Sequence, residues 1–273
     1  MDYCAICSYV EQMIKIVESG KGNGTAALAR GLRLLECIAK DQAQTSLHDH
    51  ATALDIPYAT ARRMIATLDQ SGFVVRVGAG RYRAGPALVG LADVLDLRSL
   101  LVILGRKPLR ALARSINCVA HLGFWEADMV TYLIKEDSGR LRLFTRENHQ
   151  LEAYASGIGK VLLAHLGTGE RDKFLQTGPF VALTDNTILD PDLLRAEWDK
   201  VRRRGFATDC AEVAPEWYCV AVPVFGPQGV VAAISLSSPG PIKRPQLRQR
   251  IAALRSVSAT IAARLNGPGI SPV

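Results

Sequence analysis

The chain has 273 residues, of which 48% are hydrophobic and 22% charged, with a formal net charge of +7. That balance is ordinary for a folded globular protein, and the length is enough for two domains. The longest apolar stretches, 99–105 and 220–225, fall far short of the ~20 residues that span a bilayer. Residues 1–16 lack a basic start, an apolar run and a small-residue cleavage site, so the expectation is a cytoplasmic protein with no membrane partner.

Residues 1–24 end in Lys21-Gly22-Asn23-Gly24 and are expected to form a flexible extension. Its Cys4-Ala5-Ile6-Cys7 is a lone C-x-x-C with no second pair, weak grounds for zinc, and no metal or cofactor is expected. The other cysteines, at 37, 118, 210 and 219, are scattered among core residues, which speaks for free thiols.

Leu28, Leu32, Leu34, Leu35 and Ile38 recur at helical spacing and predict a first amphipathic helix that ends near Lys40. Ser46 precedes Leu47 and stands three before Asp49, a start signal for a short second helix that Asp55-Ile56-Pro57 breaks. A third helix is expected from Pro57 to Ser71-Gly72, with Met64, Ile65 and Leu68 inward and Tyr58, Ala59, Thr60, Arg62 and Arg63 outward. Phe73 to Val77, Gly78-Ala79-Gly80 and Arg81-Tyr82-Arg83 then read as a hairpin. Three helices followed by a basic hairpin describe a winged helix-turn-helix over 25–85, the third helix entering the major groove and the wing lying along phosphates.

Charge supports this locally rather than globally. Residues 1–96 hold ten basic and ten acidic side chains, yet 57–85 hold Arg62, Arg63, Arg76, Arg81 and Arg83 against Asp69 alone. The candidate DNA contacts are therefore Tyr58, Thr60, Arg62, Arg63, Arg81 and Tyr82. A small helical bundle with solvated arginines is the plain alternative on pattern alone.

Leu88, Leu91, Val94, Leu95 and Leu97 extend a helical stripe, predicting a linker helix over 86–104. Beyond it, residues 105–266 alternate helices and strands. Strands are expected near 119–125, 129–135, 141–145, 206–209, 218–225 and 230–237. Helices are expected over 100–116, after Ser156, and over 170–176, 191–204 and 245–265, with a short tail at 267–273. The fold class is α+β, an antiparallel sheet with flanking helices behind the winged domain.

Three places in this second domain could hold a ligand. Gly157-Ile158-Gly159 at a helix start would leave amides free for a carboxylate, with Lys160 adding charge; close packing is the plainer reading. Asp209 and Glu212 follow a strand, as acceptors or merely exposed loop acids. Cys219, Ser235 and Ser237 lie on apolar strands, as pocket contacts or filler. An enzyme would need Cys219 as nucleophile with His121, His149 or His165 as base, and no local signature supports that pair.

The runs Ala29-Arg30-Gly31-Leu32-Arg33-Leu34-Leu35-Glu36, Ile56 to Leu68, Gly72-Phe73-Val74 and Arg81 to Pro86 resemble the DNA-binding domain of the IclR family of bacterial transcriptional regulators. Ala155 to Ala164, Arg204 to Asp209 and Cys219 to Val224 resemble its effector-binding domain, a relative of the GAF and PAS sensor folds. The resemblance implies a repressor or activator, not an enzyme, acting as a homodimer or tetramer on double-stranded DNA with a pseudo-palindromic operator. It also implies an effector pocket lined by Gly157, Ile158, Gly159, Asp209, Cys219, Ser235 and Ser237, with a small organic acid, aromatic acids included, as effector. This chain departs from the family pattern at Tyr154, where a histidine is frequent, at Pro215-Glu216, where Pro-Gly is frequent, and at Trp217-Tyr218.

Overall fold

A computed structural model describes residues 23–139 and 141–266. The expected extension, apart from Asn23 and Gly24, and the expected tail lie outside the described residues, as does the Cys4/Cys7 pair. Asn23 and Gly24 belong to the first helix rather than to an extension. The chain divides into two compact units that meet between Asp96 and Leu97.

The first unit consists of α1 (Asn23–Asp41), α2 (Leu47–Ala53), α3 (Tyr58–Gln70), β1 (Val74–Gly78), β2 (Arg81–Ala84) and α4 (Pro86–Asp93). Ser46 caps α2 by accepting from the Asp49 N–H at 3.3 Å, and its hydroxyl donates to Asp49 Oδ2 at 2.7 Å. Leu34, Ile38, Leu47, Ala51, Ile56, Ala61, Ile65 and Val74 form one core that fastens α3 to the other elements. Two expected core residues fall elsewhere: Leu28 and Leu32 are 65% and 56% exposed. The helical period of α1 is right, but its apolar residues are spread too widely for one buried face.

The linker is not one continuous helix. Helix α4 ends at Asp93 and α5 (Leu97–Ile116) begins after a break over 94–96. The stretch expected as 86–104 is therefore divided between the two units.

The second unit is a six-stranded antiparallel sheet in the order β5-β4-β3-β8-β7-β6. Its strands are β3 (Val119–Glu126), β4 (Met129–Glu136), β5 (Gln150–Glu152), β6 (Ala207–Cys210), β7 (Trp217–Gly226) and β8 (Gly229–Pro239). Its helices after α5 are α6 (Gly157–His165), α7 (Thr168–Leu175), α8 (Pro191–Arg204) and α9 (Arg244–Asn266). One sheet face presents Ala120, Leu122, Val220, Val222, Ile234 and Leu236 to α5 and α9. The other presents Ala221 and Ala233 to α6, which is buried from Gly157 through Ala164. A helix buried all round is the expected outcome of an apolar sequence with one lysine. The expected strand at 141–145 is absent; those residues are irregular, and Lys135 Nζ donates to the Leu143 and Thr145 carbonyls at 2.6 Å each. A side chain there satisfies the backbone that a neighbouring strand would otherwise pair.

Candidate functional site

Each unit carries its own candidate site. In the first, burial of Ala61 and Ile65 turns the opposite side of α3 outward, where Tyr58, Arg62 and Arg63 are exposed and Thr60 is half-buried. The Tyr58 ring meets His48 of α2 edge-on at 5.3 Å, which fixes the tyrosine at the start of the helix. Ala61 is fully buried and takes no part in the exposed surface of α3. In the wing, Arg81 and Arg83 are exposed on β2, while Tyr82 is half-buried against the core. The Gly80 carbonyl accepts from the Leu47 N–H at 2.7 Å, tying the wing turn to the start of α2. Exposed arginines on α3 and β2 form a cationic surface suited to a phosphate backbone.

In the second unit a cleft opens beside the start of α6. Ser156, with extended backbone, caps the helix by accepting from the Gly159 N–H at 3.1 Å. Two close approaches set this start against its surroundings. A Cβ on Gly157 would lie 3.0 Å from Cys219 Sγ, and one on Gly159 would lie 2.1 Å from the Ala153 carbonyl oxygen. The glycines thus let α6 sit directly on β7 and on the preceding chain.

Strand register supplies the cleft floor. Asp209 pairs with Cys219 and Cys219 with Ser237, so one row across β6, β7 and β8 carries a carboxyl, a thiol and a hydroxyl on the α6 side. The walls come from Tyr132, the irregular segment Leu143 to Thr145, Leu151, Val213, Ala214, Trp217 and Tyr218. The cavity within the cleft is only about 30 Å³. That is enough for ordered water and too tight for an organic ligand without movement of a wall.

The charges beside the cleft are arranged unexpectedly. Lys160 and Glu212, 1% and 5% exposed, face each other, with Nζ 2.5 Å from each carboxylate oxygen. Nζ also donates to the Thr208 carbonyl at 3.2 Å. Lys160 was read as positive charge for a ligand; its charge is instead taken up by Glu212, and both expected loop acids are buried. Asp209 Oδ1 accepts from the Glu212 N–H at 2.7 Å, yet burial, with Glu212 adding to it, pushes its carboxyl up to about 7. Burial pushes the Cys219 thiol up to about 12, with Asp209 adding to the effect. A thiol held in that form is a poor nucleophile.

Family models match both halves of the chain. The IclR helix-turn-helix domain matches residues 27–78, and the C-terminal region of the bacterial transcriptional regulator IclR matches residues 95–263. The chain belongs to the IclR family. It is similar to the HTH-type transcriptional regulator BhcR of Paracoccus denitrificans, 32% identical over 254 residues, covering 91% of this chain and 88% of that protein. Among solved structures, an IclR regulator from Silicibacter sp. aligns with a TM-score of 0.68 at 26% identity, over 90% of this chain and 99% of the other. An IclR homologue from Microbacterium hydrocarbonoxydans, solved with 4-hydroxybenzoate, has a TM-score of 0.58 at 24% identity, over 88% of this chain and 98% of the other. As an IclR-family protein the chain is a DNA-binding transcriptional regulator with an effector-binding C-terminal domain. The family consists of regulators rather than enzymes. No helix among the described residues is long and apolar enough to cross a membrane.

Of the seven expected IclR pocket residues, Gly157, Asp209, Cys219 and Ser237 line the cleft. Three do not. Ile158 packs in the core, its methyl 3.1 Å from where a Cβ on Gly123 would stand, and Gly159 faces the Ala153 backbone. Ser235 is 1% exposed, and its hydroxyl lies within hydrogen-bonding reach of the Cys219 thiol behind the cleft. Tyr132, Thr145 and Ser156 line it without having been read from the sequence. Ser156 did leave a signal, an oxygen side chain just before a helix start. Tyr154, one of the departures from the family pattern, lies away from the cleft, its hydroxyl donating to the Val181 carbonyl at 2.8 Å. Trp217 and Tyr218, two others, form part of the wall.

Proposed function

We propose that this regulator binds a pseudo-palindromic operator as a homodimer, and that a small organic acid entering the second-unit cleft changes operator affinity. On the DNA side, α3 lies in the major groove with Tyr58, Thr60, Arg62 and Arg63 toward bases and phosphates. Arg81, with Tyr82 behind it, follows the backbone from the wing. The exposed Leu28, Leu32, Val89, Leu91, Val94 and Leu95 of the first unit support pairing with a second copy.

The observation that carries the effector half is the Asp209, Cys219, Ser237 row at the floor of a cleft whose rim is the start of α6. Backbone amides at that start and the row's polar atoms together suit a carboxylate, and the aromatic wall of Tyr132, Phe144, Trp217 and Tyr218 suits an unsaturated body. A homologue of the same fold holds 4-hydroxybenzoate, which accords with that class. A ligand changes operator affinity only to the extent that it binds one arrangement of the protein better than another.

The test begins with genome-wide mapping of bound sites, followed by fluorescence anisotropy on the recovered fragments with and without small organic acids. Arg62→Ala with Arg63→Ala weakens binding and lowers the slope of log affinity against log salt by about 0.9 per lost phosphate contact. Unchanged affinity in that double variant refutes the recognition surface.

A further inference from the structure

Among the described residues that line the cleft, none is a lysine, arginine or histidine, and one, Asp209, is an acid. An ionised Asp209 would face an incoming carboxylate with a like charge in a buried setting, and no cation in the lining offsets it. Lys160 is engaged with Glu212 and the Thr208 carbonyl, and Lys135 with the carbonyls of Leu143 and Thr145 in the cleft wall.

We infer that the effector's carboxylate is received by a neutral Asp209 carboxyl acting as hydrogen-bond donor, so that each effector enters together with one proton from solvent. This rests on the organic-acid reading above and deepens it. Asp209 Oδ1 accepts from the Glu212 N–H at 2.7 Å, and the Val213 N–H also favours the ionised carboxyl, yet burial outweighs both. The groups facing Asp209 are consistent with this. Glu212 from the following loop opposes its ionisation and Lys160 from α6 favours it. Cys219 of β7 and Tyr132 of β4 are both held in their neutral forms by burial, and Ser237 of β8 is uncharged. With its carboxyl near 7, Asp209 is poised to take that proton at ordinary pH.

If only the neutral form binds, the apparent dissociation constant grows as one plus the ratio of ionised to neutral Asp209, about tenfold between pH 6 and pH 8. The experiment is calorimetric titration of the full chain, without DNA, with a panel of monocarboxylates from acetate to 4-hydroxybenzoate. Each is run at pH 6, 7 and 8 in two buffers of different ionisation enthalpy. The expected result is about tenfold weakening over that range, net uptake approaching one proton per site at pH 8, and a flat profile in Asp209→Asn. Should that variant fail to fold, proton uptake by the wild type decides the matter alone. Carboxylate binding that is flat with pH and takes up no proton overturns this inference while leaving the organic-acid reading intact. Failure of every carboxylate to bind at pH 6 overturns both. Binding of 4-hydroxybenzylamine that tightens as pH rises shows Asp209 acting as a carboxylate and overturns the inference as well.

Discussion

Replacing Lys160 with methionine probes the most consequential contact in the second unit. Methionine keeps the unbranched stem that runs through the buried length of α6 and deletes only the ammonium group. Glu212 then loses the partner 2.5 Å away and keeps a single N–H donor, from Cys210 at 3.2 Å, inside a site where its own exposure is 5%. Breaking a buried pair by removing one partner costs about 3–5 kcal/mol, because the remaining charge is left without compensation. For a unit of this size, roughly 2–4 °C of melting temperature corresponds to each kcal/mol, so the midpoint falls by roughly 6–20 °C. The assay is urea and thermal unfolding followed by far-ultraviolet circular dichroism, run beside Lys160→Met with Glu212→Gln. The double variant removes both charges and recovers most of the loss, since an amide in place of the carboxylate needs no cation. A single-variant loss below about 1 kcal/mol, or a double variant no better than the single, refutes the claim that Lys160 is consumed structurally and is unavailable to a ligand.

Two further predictions come from the same region. Burial holds His121 neutral, lowering it from 6.5 to about 3, so the unfolded chain binds a proton before the folded one and stability falls as pH drops below 6.5. Asp209 has the opposite sign. Its carboxyl is raised from 3.8 to about 7, the folded chain binds the proton first, and stability grows as pH drops from 7 toward 3.8. In the wild type the two nearly cancel between pH 6.5 and 5; Asp209→Asn exposes a loss of about 2 kcal/mol over that interval and His121→Asn a gain of similar size. Urea unfolding at the two pH values checks this, and equal slopes in both variants refute it. Gly159→Ala, forcing a methyl toward the Ala153 carbonyl, costs about 1–3 kcal/mol, whereas Gly169→Ala in α7, with nothing within 4 Å, is neutral or stabilising. Comparable unfolding midpoints for the two alanine variants refute the close-approach argument.

Local signals in the sequence proved strongest where a side chain acts on its own neighbourhood. Helix α8 runs from Pro191 to Arg204 as expected, because Asp190 caps it through the Asp192 and Leu193 amides and Gly205 ends it in a left-handed turn. The β7/β8 hairpin was equally legible in the two strands expected at 218–225 and 230–237. Signals failed where a distant partner decides the outcome. The 141–145 stretch has strand-like residues, but the backbone there is satisfied by Lys135, a choice no local pattern reveals. Lys160 looks exposed by residue type, and only its meeting with Glu212, 52 positions away, explains its burial. The stripe through Val94 and Leu95 suggested an unbroken linker, yet both side chains are exposed and the helix breaks there, since a continuous apolar stripe fixes no helix without something to pack on.

The alternation along β7 and β8 gives one sheet two different faces. Val220, Val222, Ile234 and Leu236 lie in the apolar core with α5 and α9, and the residues between them, Cys219, Ala221, Ser235 and Ser237, face α6. Period-two patterning therefore gives the sheet a bulky apolar face toward α5 and α9 and a face of small residues toward α6. The small size of the residues facing α6 matters as much as their polarity. Cys219 and Ala221 are what Gly157 rests against, so a larger residue at either position lifts α6 from the sheet and separates its first amides from the Asp209 row. The close seating of α6 on the sheet is joined by a polar link, the Lys160 to Glu212 pair, which ties α6 to the loop after β6.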